Sequence, residues 1–301
     1  MAVVTRHVRR TYSLEAELAF VALVLLAWHV IRIPIEGDVD TSVAHARDVL
    51  RLEGALSLDV EQHIIEAVAA ADAQVPLRWL YANIHLPVLF GFVAAARLLA
   101  PARYPFVRTT FALSFVPAAL IIALFPLAPP HWLPELGLGG PPSDASLTNT
   151  TGALFHNTTA AAASQHFGFT VLIAATTIWL FPRSRLAWLT LAYPALVFVV
   201  IVGTGNHYVV DCIVGTLTLV LAAAVASRLH RERAQETTPV PQPSGIASIS
   251  LGYALIAWGF VSLDLTALGK GNVPDALVLA AGLVAVIVPR LVQAGPLTES
   301  S

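Results

Sequence analysis

The chain has 301 residues, of which 56% are hydrophobic and only 12% are charged. Soluble domains usually carry about 25% charged residues, so this composition excludes an ordinary soluble enzyme and indicates an integral membrane protein. The single cysteine, Cys212, excludes an intramolecular disulfide. The formal net charge of −2 says little by itself, because the distribution of charge is what matters in a membrane protein.

Apolar segments close to the bilayer-spanning length of about 20 residues recur along the chain. They predict about eight transmembrane helices, at 14–33, 79–100, 107–127, 165–182, 186–204, 208–227, 249–268 and 274–293. The predicted fold class is therefore an all-α integral membrane protein. Arginines precede the first apolar run, as in a signal peptide. The run is too long for a signal peptide and no cleavage site follows, so we interpret residues 1–34 as the first transmembrane helix.

Polar connections divide the remaining chain. Apolar and charged positions alternate in residues 35–77, which predicts one or two amphipathic helices on the outer membrane surface; a solvated hairpin is the alternative. Proline and glycine forbid a regular helix over much of residues 128–163. Residues 231–247 form a proline-rich cytoplasmic linker. This linker separates the main membrane core, residues 78–230, from a two-helix C-terminal appendix, residues 248–301.

The distribution of arginine predicts the orientation in the membrane. Most of the 17 basic residues fall on the side of the N-terminus, which the positive-inside rule places in the cytoplasm together with the C-terminus. The loops between the third and fourth helices and between the fifth and sixth contain no Arg or Lys, so they are predicted to face outward. Lys270 is the single lysine, and with the many alanines it suggests a GC-rich bacterial source and hence the plasma membrane.

The second of these loops contains His207 and Asp211, four residues apart. On a helix this spacing places both side chains on one face. The carboxylate would accept the imidazole Nδ1–H and leave Nε2 free as a nucleophile or base. An ionisable pair at the edge of a transmembrane helix indicates a functional site, although a pair that only packs two helices is the alternative.

The first outward loop ends in a second motif. Ser164 is a candidate N-cap of the helix predicted at 165–182, and His166 lies in its first turn, where free N–H groups favour an anion. His166 is therefore expected to face His207 and Asp211 across an outward-open pocket. Two histidines and one aspartate suit phosphoryl transfer: one His attacks phosphorus, Asp orients it, and the other His protonates the leaving oxygen.

These motifs resemble a known family. Ser164-Gln165-His166 and Gly205-Asn206-His207-Tyr208-x-x-Asp211 are similar to the second and third signature motifs of the type 2 phosphatidic acid phosphatase superfamily. The stretches 81–87 and 125–130 look like its inositol phosphorylceramide synthase-like branch, of actinobacterial type. The resemblance covers about 40–228 and implies a six-helix phosphatase-like catalytic core. It implies that His207 forms a phosphohistidine, that Asp211 orients it, and that His166 is the general acid.

The phosphate-binding part of the family pattern differs in this chain. Ala163 stands where the second motif usually starts with proline, Ile201 where an arginine often precedes the third, and His131 where many relatives have arginine. Phosphate oxygens need positive partners. The candidates on the outer side are Arg78, Arg47 and Arg51, a protonated His131, and the N–H groups at the start of the helix predicted at 165–182. Among the arginines we choose Arg78, at the outer start of the second helix, with His131 and Ser164 also in the binding site.

Three further polar residues are candidates for substrate binding. They are Asn206, Tyr208 and His85, and each also has a structural interpretation: a helix cap, a membrane-interface aromatic and an interhelical hydrogen bond, respectively. The sequence shows no clear cluster of metal ligands. We therefore expect no required cofactor, although a divalent ion could assist.

The predicted function is a membrane enzyme that acts on a lipid phosphate or a polyprenyl (di)phosphate at the outer face. Water as acceptor makes it a phosphatase, and an alcohol makes it a phosphotransferase. One alternative is a family-derived enzyme with altered, non-hydrolytic chemistry on an isoprenyl diphosphate. The other is a transporter with a His–Asp proton relay, although no internal repeat is evident. The expected partners are the substrate and the bilayer, with no nucleic acid, and the oligomeric state is unknown.

Overall fold

The computed structural model describes residues 13–32, 34–138, 159–230 and 250–255. The fold in these ranges is helical, with one isolated β-bridge between Leu127 and Ala160. The prediction of an all-α membrane protein is therefore confirmed. In chain order the α-helices are α1 (Leu14–Arg32), α2 (Val39–Leu56), α3 (Glu61–Ala70), α4 (Gln74–Asn83), α5 (His85–Leu99), α6 (Tyr104–Leu124), α7 (Gln165–Leu180), α8 (Arg185–Leu189), α9 (Ala192–Gly203) and α10 (Val209–Leu229).

Four stretches of the described chain are long and apolar enough to cross a membrane: α1, α6, α8 together with α9, and α10. The pair α4 and α5, bent by 41°, makes a fifth if it counts as one span. Helix α7 is apolar but has only 16 residues, which is about 24 Å against a hydrocarbon thickness of about 30 Å. The last two predicted spans lie outside the described residues, apart from helical residues 250–255, so the count of eight stays a prediction.

Two helices, α2 with 18 residues and α3 with 10, occupy the connection predicted to be amphipathic. Helix α2 begins at Asp38, whose Oδ2 accepts the Thr41 N–H at 2.9 Å as an N-cap. It ends at Ser57, which adopts the left-handed conformation with φ of 57°. The buried face of α2 includes Val49 and Glu53. Two glutamates, Glu53 and Glu61 of α3, are thus buried on helices that otherwise carry their charges outward.

Helix α10 is central to the bundle and packs against both α6 and α7. Three phenylalanines join α6 to α7: the ring centroids of Phe111, Phe115 and Phe169 lie 4.8–5.3 Å apart. Buried aromatic contacts of this kind stabilise a helix interface beyond simple area burial. They hold the first half of α7 against α6, and so fix the position of the residues at its N-terminus.

The beginnings of α7 and α10 are in backbone contact. The Ser164 N–H donates to the Asp211 carbonyl oxygen at 3.0 Å. A Cβ atom at Gly215 would overlap the Ser164 carbonyl group, and one at Gly168 would lie 3.0 Å from the Gly215 carbonyl oxygen. Glycine at position 215 therefore permits the close approach that brings the two histidine motifs side by side.

Candidate active site

A cavity of about 240 Å³ opens at the side of the bundle where α1 and α6 end and α7 and α10 begin. Part of its wall is polar, and the polar side chains include His131, His166, Asn206 and His207. Another part is apolar and is lined by Leu25, Trp28, Leu86, Phe115 and Phe169. The cavity therefore offers one continuous surface to a polar group and an attached hydrocarbon.

His207 lies in the loop before α10, so the pair His207–Asp211 does not share a helix as the spacing predicted. Instead, Asp211 in the first turn points back over the helix N-terminus. The His207 Nδ1 atom lies 3.1 Å from the Ala161 carbonyl oxygen and 3.4 Å from Asp211 Oδ2. A carbonyl oxygen can only accept, so Nδ1 carries the hydrogen. In the neutral ring, Nε2 then keeps its lone pair.

The Ala161 carbonyl was not predicted, because a backbone acceptor has no side-chain signature in a sequence. It is the nearer of the two acceptors for His207. Asp211 has a second role: its Oδ2 accepts the Tyr208 N–H at 3.0 Å and so caps its own helix. The carboxylate is buried, and these two contacts hold it next to the imidazole.

His166 lies in the first turn of α7, and its ring centroid is 6.3 Å from that of His207. Both histidines line the cavity. His85 lies against His166, with ring centroids 4.7 Å apart, and also stacks on Phe169. Neither ring nitrogen of His85 has a hydrogen-bond partner among the described residues. The interhelical hydrogen bond proposed as its structural role is thus not formed there.

His131 and Asn206 also line the cavity, and both hold the loop that carries His207. The backbone N–H of His131 donates to the Gly205 carbonyl oxygen at 2.9 Å, and its Nδ1 lies 2.9 Å from the same oxygen. Asn206 Nδ2 donates to Thr204 Oγ1 at 2.6 Å. These two residues therefore line the same cavity as His166 and His207, and their role in substrate binding stays a prediction.

The structure places the other three candidates outside the cavity lining. Ser164 is buried, and its Oγ accepts the Phe167 N–H at 3.3 Å as the N-cap of α7. Tyr208 is buried and its hydroxyl donates to the Ala128 carbonyl oxygen at 3.1 Å; burial raises the pKa of this phenol. Arg78 is exposed on α4. Their observed contacts fit helix capping, core packing and a solvated surface.

Ala163, immediately before the N-cap of α7, has φ of 69°. This left-handed conformation costs a non-glycine residue about 1–2 kcal/mol. Proline cannot adopt it, because its ring fixes φ near −65°. Alanine in place of the proline usual in the resembled motif is thus accompanied by a different backbone path into α7.

The N-terminus of α10 is closed by carboxyl groups from the surface helices. Glu61 Oε1 accepts the Val209 N–H at 2.8 Å, and Glu53 Oε1 accepts the Val210 N–H at 2.7 Å. Burial raises the pKa of Glu53 to about 9 against the opposing hydrogen bond from Val210, and the adjacent Glu61 adds to the rise. The second oxygens of both glutamates are buried without another partner in the described ranges. A proton retained on Glu53 removes the charge repulsion that two adjacent carboxylates would have.

One arginine, Arg32 at the end of α1, is among the residues that line the cavity, and within the described chain no lysine or other arginine joins it there. Its guanidinium carbon lies 5.6 Å from the centroid of the Trp28 ring. Trp28 packs in turn on Phe115, with ring centroids 5.0 Å apart. Arg32 was not among the predicted site residues, because no local pattern in the sequence indicates that the end of α1 lines the same cavity as the start of α7.

No group of three or more His, Cys, Asp or Glu side chains in the described ranges has an arrangement that could hold a metal ion. The expectation that no cofactor is required stays a prediction.

The sequence profile of the PAP2 superfamily matches residues 47–225. The chain belongs to the PAP2 superfamily. Both histidine motifs of this PAP2 protein fall inside the matched region, whereas Arg32 precedes it. Superfamily membership indicates a phosphatase or phosphotransferase type of activity on lipid phosphates, and the apolar helices indicate a multi-pass membrane protein. No curated protein and no solved structure matches the chain.

Proposed function

We propose that this PAP2 protein is a lipid phosphatase or phosphotransferase that forms a phosphohistidine on His207. The observation that carries the proposal is the partner set of the His207 Nδ1 atom. The Ala161 carbonyl and Asp211 both accept from it, so Nε2 is the atom with a lone pair. His166 lines the same cavity, and its ring centroid is 6.3 Å from that of His207.

In the first step, His207 Nε2 attacks phosphorus and the P–O bond to the lipid breaks. The departing oxygen takes a proton from His166, whose imidazolium form the negative charge of a bound phosphate dianion would favour. Asp211 stabilises the positive charge that develops on the His207 ring. In the second step, neutral His166 removes a proton from water or an alcohol, which attacks phosphorus as the P–N bond breaks.

The lining and size of the cavity support a lipid phosphate with a small head group. The cavity has a volume of about 240 Å³. Sites that enclose a drug-sized ligand are larger, typically about 300–1,000 Å³. A phosphate and the adjoining carbons would fill it, and the rest of the chain would extend along the apolar wall. We infer a substrate of this class, and membership of the inositol phosphorylceramide synthase-like branch, whose residues the stretches 81–87 and 125–130 resemble.

We also infer that the cavity faces the outside of a plasma membrane, with both termini in the cytoplasm, since the loops around it contain few cations. The single native cysteine, Cys212, is buried, so an Arg78→Cys variant would report the orientation. A membrane-impermeant maleimide should label that variant in intact cells. Labelling only after the cells are opened would contradict this orientation.

The test of function is phosphate release by the purified protein from a panel of lipid phosphates and diphosphates. We expect His207→Ala to lose turnover by about 10⁴-fold or more, as for loss of a nucleophile, and His166→Ala by about 10²- to 10⁴-fold. The wild-type protein should also become labelled by radioactive substrate through an acid-labile bond, and His207→Ala should not.

Each outcome has a separate meaning. Label without phosphate release indicates an alcohol acceptor, so that products must then be sought among phosphorylated alcohols. Turnover that survives in His207→Ala, or a label that stays on that variant, would rule out the proposed nucleophile. A folded wild-type protein that neither releases phosphate nor becomes labelled would count against phosphoryl transfer and favour the altered chemistry considered from the sequence.

A further inference from the structure

A bound phosphate dianion requires donors and positive charge, and the first turn of α10 cannot supply them. Helix N-termini usually bind anions through their free N–H groups. In α10, however, Glu61 and Glu53 accept the N–H groups of Val209 and Val210, and Asp211 accepts that of Tyr208. These carboxyl groups occupy the donors, and any ionised carboxylate among them would repel a phosphate. The negative charge of a substrate must therefore be compensated elsewhere on the cavity wall.

The first turn of α7 differs in this respect. The Ser164 hydroxyl accepts a hydrogen bond from the Phe167 N–H. The backbone N–H groups of Gln165 and His166 have no acceptor within the ranges described. Both residues line the cavity, as do Ala161 and Ala163 immediately before the helix. This helix start therefore has donors available next to the space where His166 and His207 face each other.

The matching positive charge comes from α1. Arg32 lines the same cavity, and its guanidinium is held over the indole of Trp28, which is fixed by Phe115. An arginine that is stacked on a buried aromatic ring loses less side-chain freedom when it binds an anion. The planar guanidinium group can donate two parallel hydrogen bonds to two oxygens of a phosphoryl group.

We propose that Arg32 binds the phosphate of the substrate, together with the free N–H groups at the start of α7, in place of the cations that the catalytic loops lack. The proposal rests on the proposed phosphoryl-transfer function for its substrate. Arg32 lies before residue 47, where the PAP2 match begins, so the matched region does not contain this residue. One guanidinium suits one phosphoryl group, and inorganic phosphate, the product of hydrolysis, should bind at the same place.

The experiment measures binding of inorganic phosphate, and of orthovanadate as a second oxyanion, by the full-length protein in detergent. Affinity is read from the ligand-dependent rise in melting temperature and from inhibition of any phosphate release. We expect Arg32→Gln to weaken binding of both anions by about 10- to 100-fold, the effect of losing hydrogen bonds to a charged group. The anion affinity of Arg32→Lys should lie between those of the wild type and Arg32→Gln, because lysine keeps the positive charge but cannot donate the paired hydrogen bonds of a guanidinium.

Arg103→Gln is the matched control. Arg103 also lies over a tryptophan, with its guanidinium carbon 4.9 Å from the Trp179 ring centroid, but it precedes α6 at the opposite end of that helix from the cavity. This variant loses an arginine–tryptophan contact of the same kind. Its phosphate affinity should equal that of the wild type. Equal weakening in Arg32→Gln and Arg103→Gln would overturn the proposal.

A measurement on the wild type covers the case in which Arg32→Gln does not fold. Phenylglyoxal modifies arginine, and mass spectrometry identifies the modified residues. Phosphate should protect Arg32 and leave modification of Arg103 unchanged. No protection of Arg32 by phosphate, or no binding of phosphate by the wild type, would overturn the inference.

The results also separate this inference from the proposed function. If phosphate binding depends on Arg32 but no lipid phosphate is turned over, the anion site stands and the proposed reaction fails. If turnover depends on His207 while Arg32→Gln retains the wild-type KM and phosphate affinity, the reaction stands and the role of Arg32 fails.

Discussion

The helices α7 and α10 both begin beside His166 and His207, yet the first N–H groups of each have different partners. At the start of α7, a serine hydroxyl accepts a hydrogen bond from one backbone N–H group, and the two preceding N–H groups belong to residues that line the cavity. At α10 three carboxyl groups, two of them from the surface helices α2 and α3, take the first N–H groups. The N–H donors at the start of α7 are thus available to an anion, whereas those at the start of α10 already have carboxyl partners.

The comparison shows how charge is divided around His207. Carboxylate on the α10 side would favour the cationic forms of the imidazole in the proposed phosphoryl transfer. Free N–H groups on the α7 side would favour the phosphate of the proposed substrate. A site with carboxylates at both helix starts would repel its substrate, and a site with none would leave the charged ring without a partner. Substitutions on the α10 side, at the contact between the two helices and at the buried glutamates test this division of charge.

The largest of these effects is expected from Asp211→Asn. The variant keeps an acceptor for the Tyr208 N–H but removes the negative charge beside His207. Because the Ala161 carbonyl still requires a hydrogen on Nδ1, the tautomer should be kept. We expect kcat to fall by about 10²- to 10³-fold, less than the about 10⁴-fold seen when a catalytic triad loses both charge and tautomer. KM should change little.

Steady-state kinetics on the best lipid phosphate would measure this loss, and the melting temperature would show that the fold is retained. Wild-type kcat in Asp211→Asn would mean that the carboxylate only caps α10. The division of charge between the two helix starts would then have no catalytic role.

The next effect is expected from Gly215→Ala, which acts on the contact between the helices. The added methyl group would overlap the Ser164 carbonyl and push the start of α7 away from α10. We expect the free energy of unfolding to fall by about 1–3 kcal/mol. Since a misplacement of about 1 Å between catalytic groups is costly, kcat should fall by at least about tenfold.

Gly54→Ala is the control for Gly215→Ala. Gly54 lies within α2, and a Cβ there meets nothing within 4 Å. Alanine at an open helical position should be neutral or should stabilise by about 0.5–1 kcal/mol. Comparison of melting temperatures and kcat for the two variants would test the packing. If both behaved like the wild type, α7 and α10 would be farther apart than this contact implies.

The smallest effect concerns the glutamates that close α10 and appears in the pH dependence of stability. The folded protein keeps a proton on Glu53 up to a pKa of about 9, whereas an unfolded glutamate loses it near 4.3. The contribution of protonated Glu53 to the free energy of unfolding is therefore fully present below about pH 4 and is lost as the pH rises towards 9. The slope is at most about 1.4 kcal/mol per pH unit for one proton.

Glu53→Gln should flatten this dependence, because the amide accepts from Val210 and donates to Glu61 without titrating. Melting temperatures in detergent between pH 5 and pH 9 would show it, and the variant should be the more stable protein near pH 9. Glu66→Gln, at an exposed position on α3, should keep the wild-type slope. Identical slopes for wild type and Glu53→Gln would contradict a proton retained on Glu53 at the start of α10.

Much of the architecture could be read from the chain. Long apolar runs identify membrane helices because a bilayer requires backbone hydrogen bonds to be satisfied within the segment. Proline, glycine and polar residues mark where these helices end. The amphipathic pattern of residues 35–77 likewise predicted surface helices, and α2 and α3 lie there. His166 and His207 could be chosen because ionisable residues at the ends of apolar helices are rare and costly.

The partners of those histidines depended on tertiary structure. Sequence reasoning chose Arg78 for the phosphate, but the side chain is exposed on α4, and the cavity arginine is Arg32 from a helix far away in the chain. It paired His207 with Asp211 through helical spacing, whereas the nearest acceptor is the backbone carbonyl of Ala161. Glu53 and Glu61 lie in the segment predicted to be amphipathic, and only the tertiary structure shows that they cap α10. The sequence alone determined the membrane class, most helix positions and the two histidines, because these follow from local hydrophobicity and spacing. Only the packing of α1, α2 and α3 against the later helices decided which groups surround the site, since such contacts join residues that no local pattern connects.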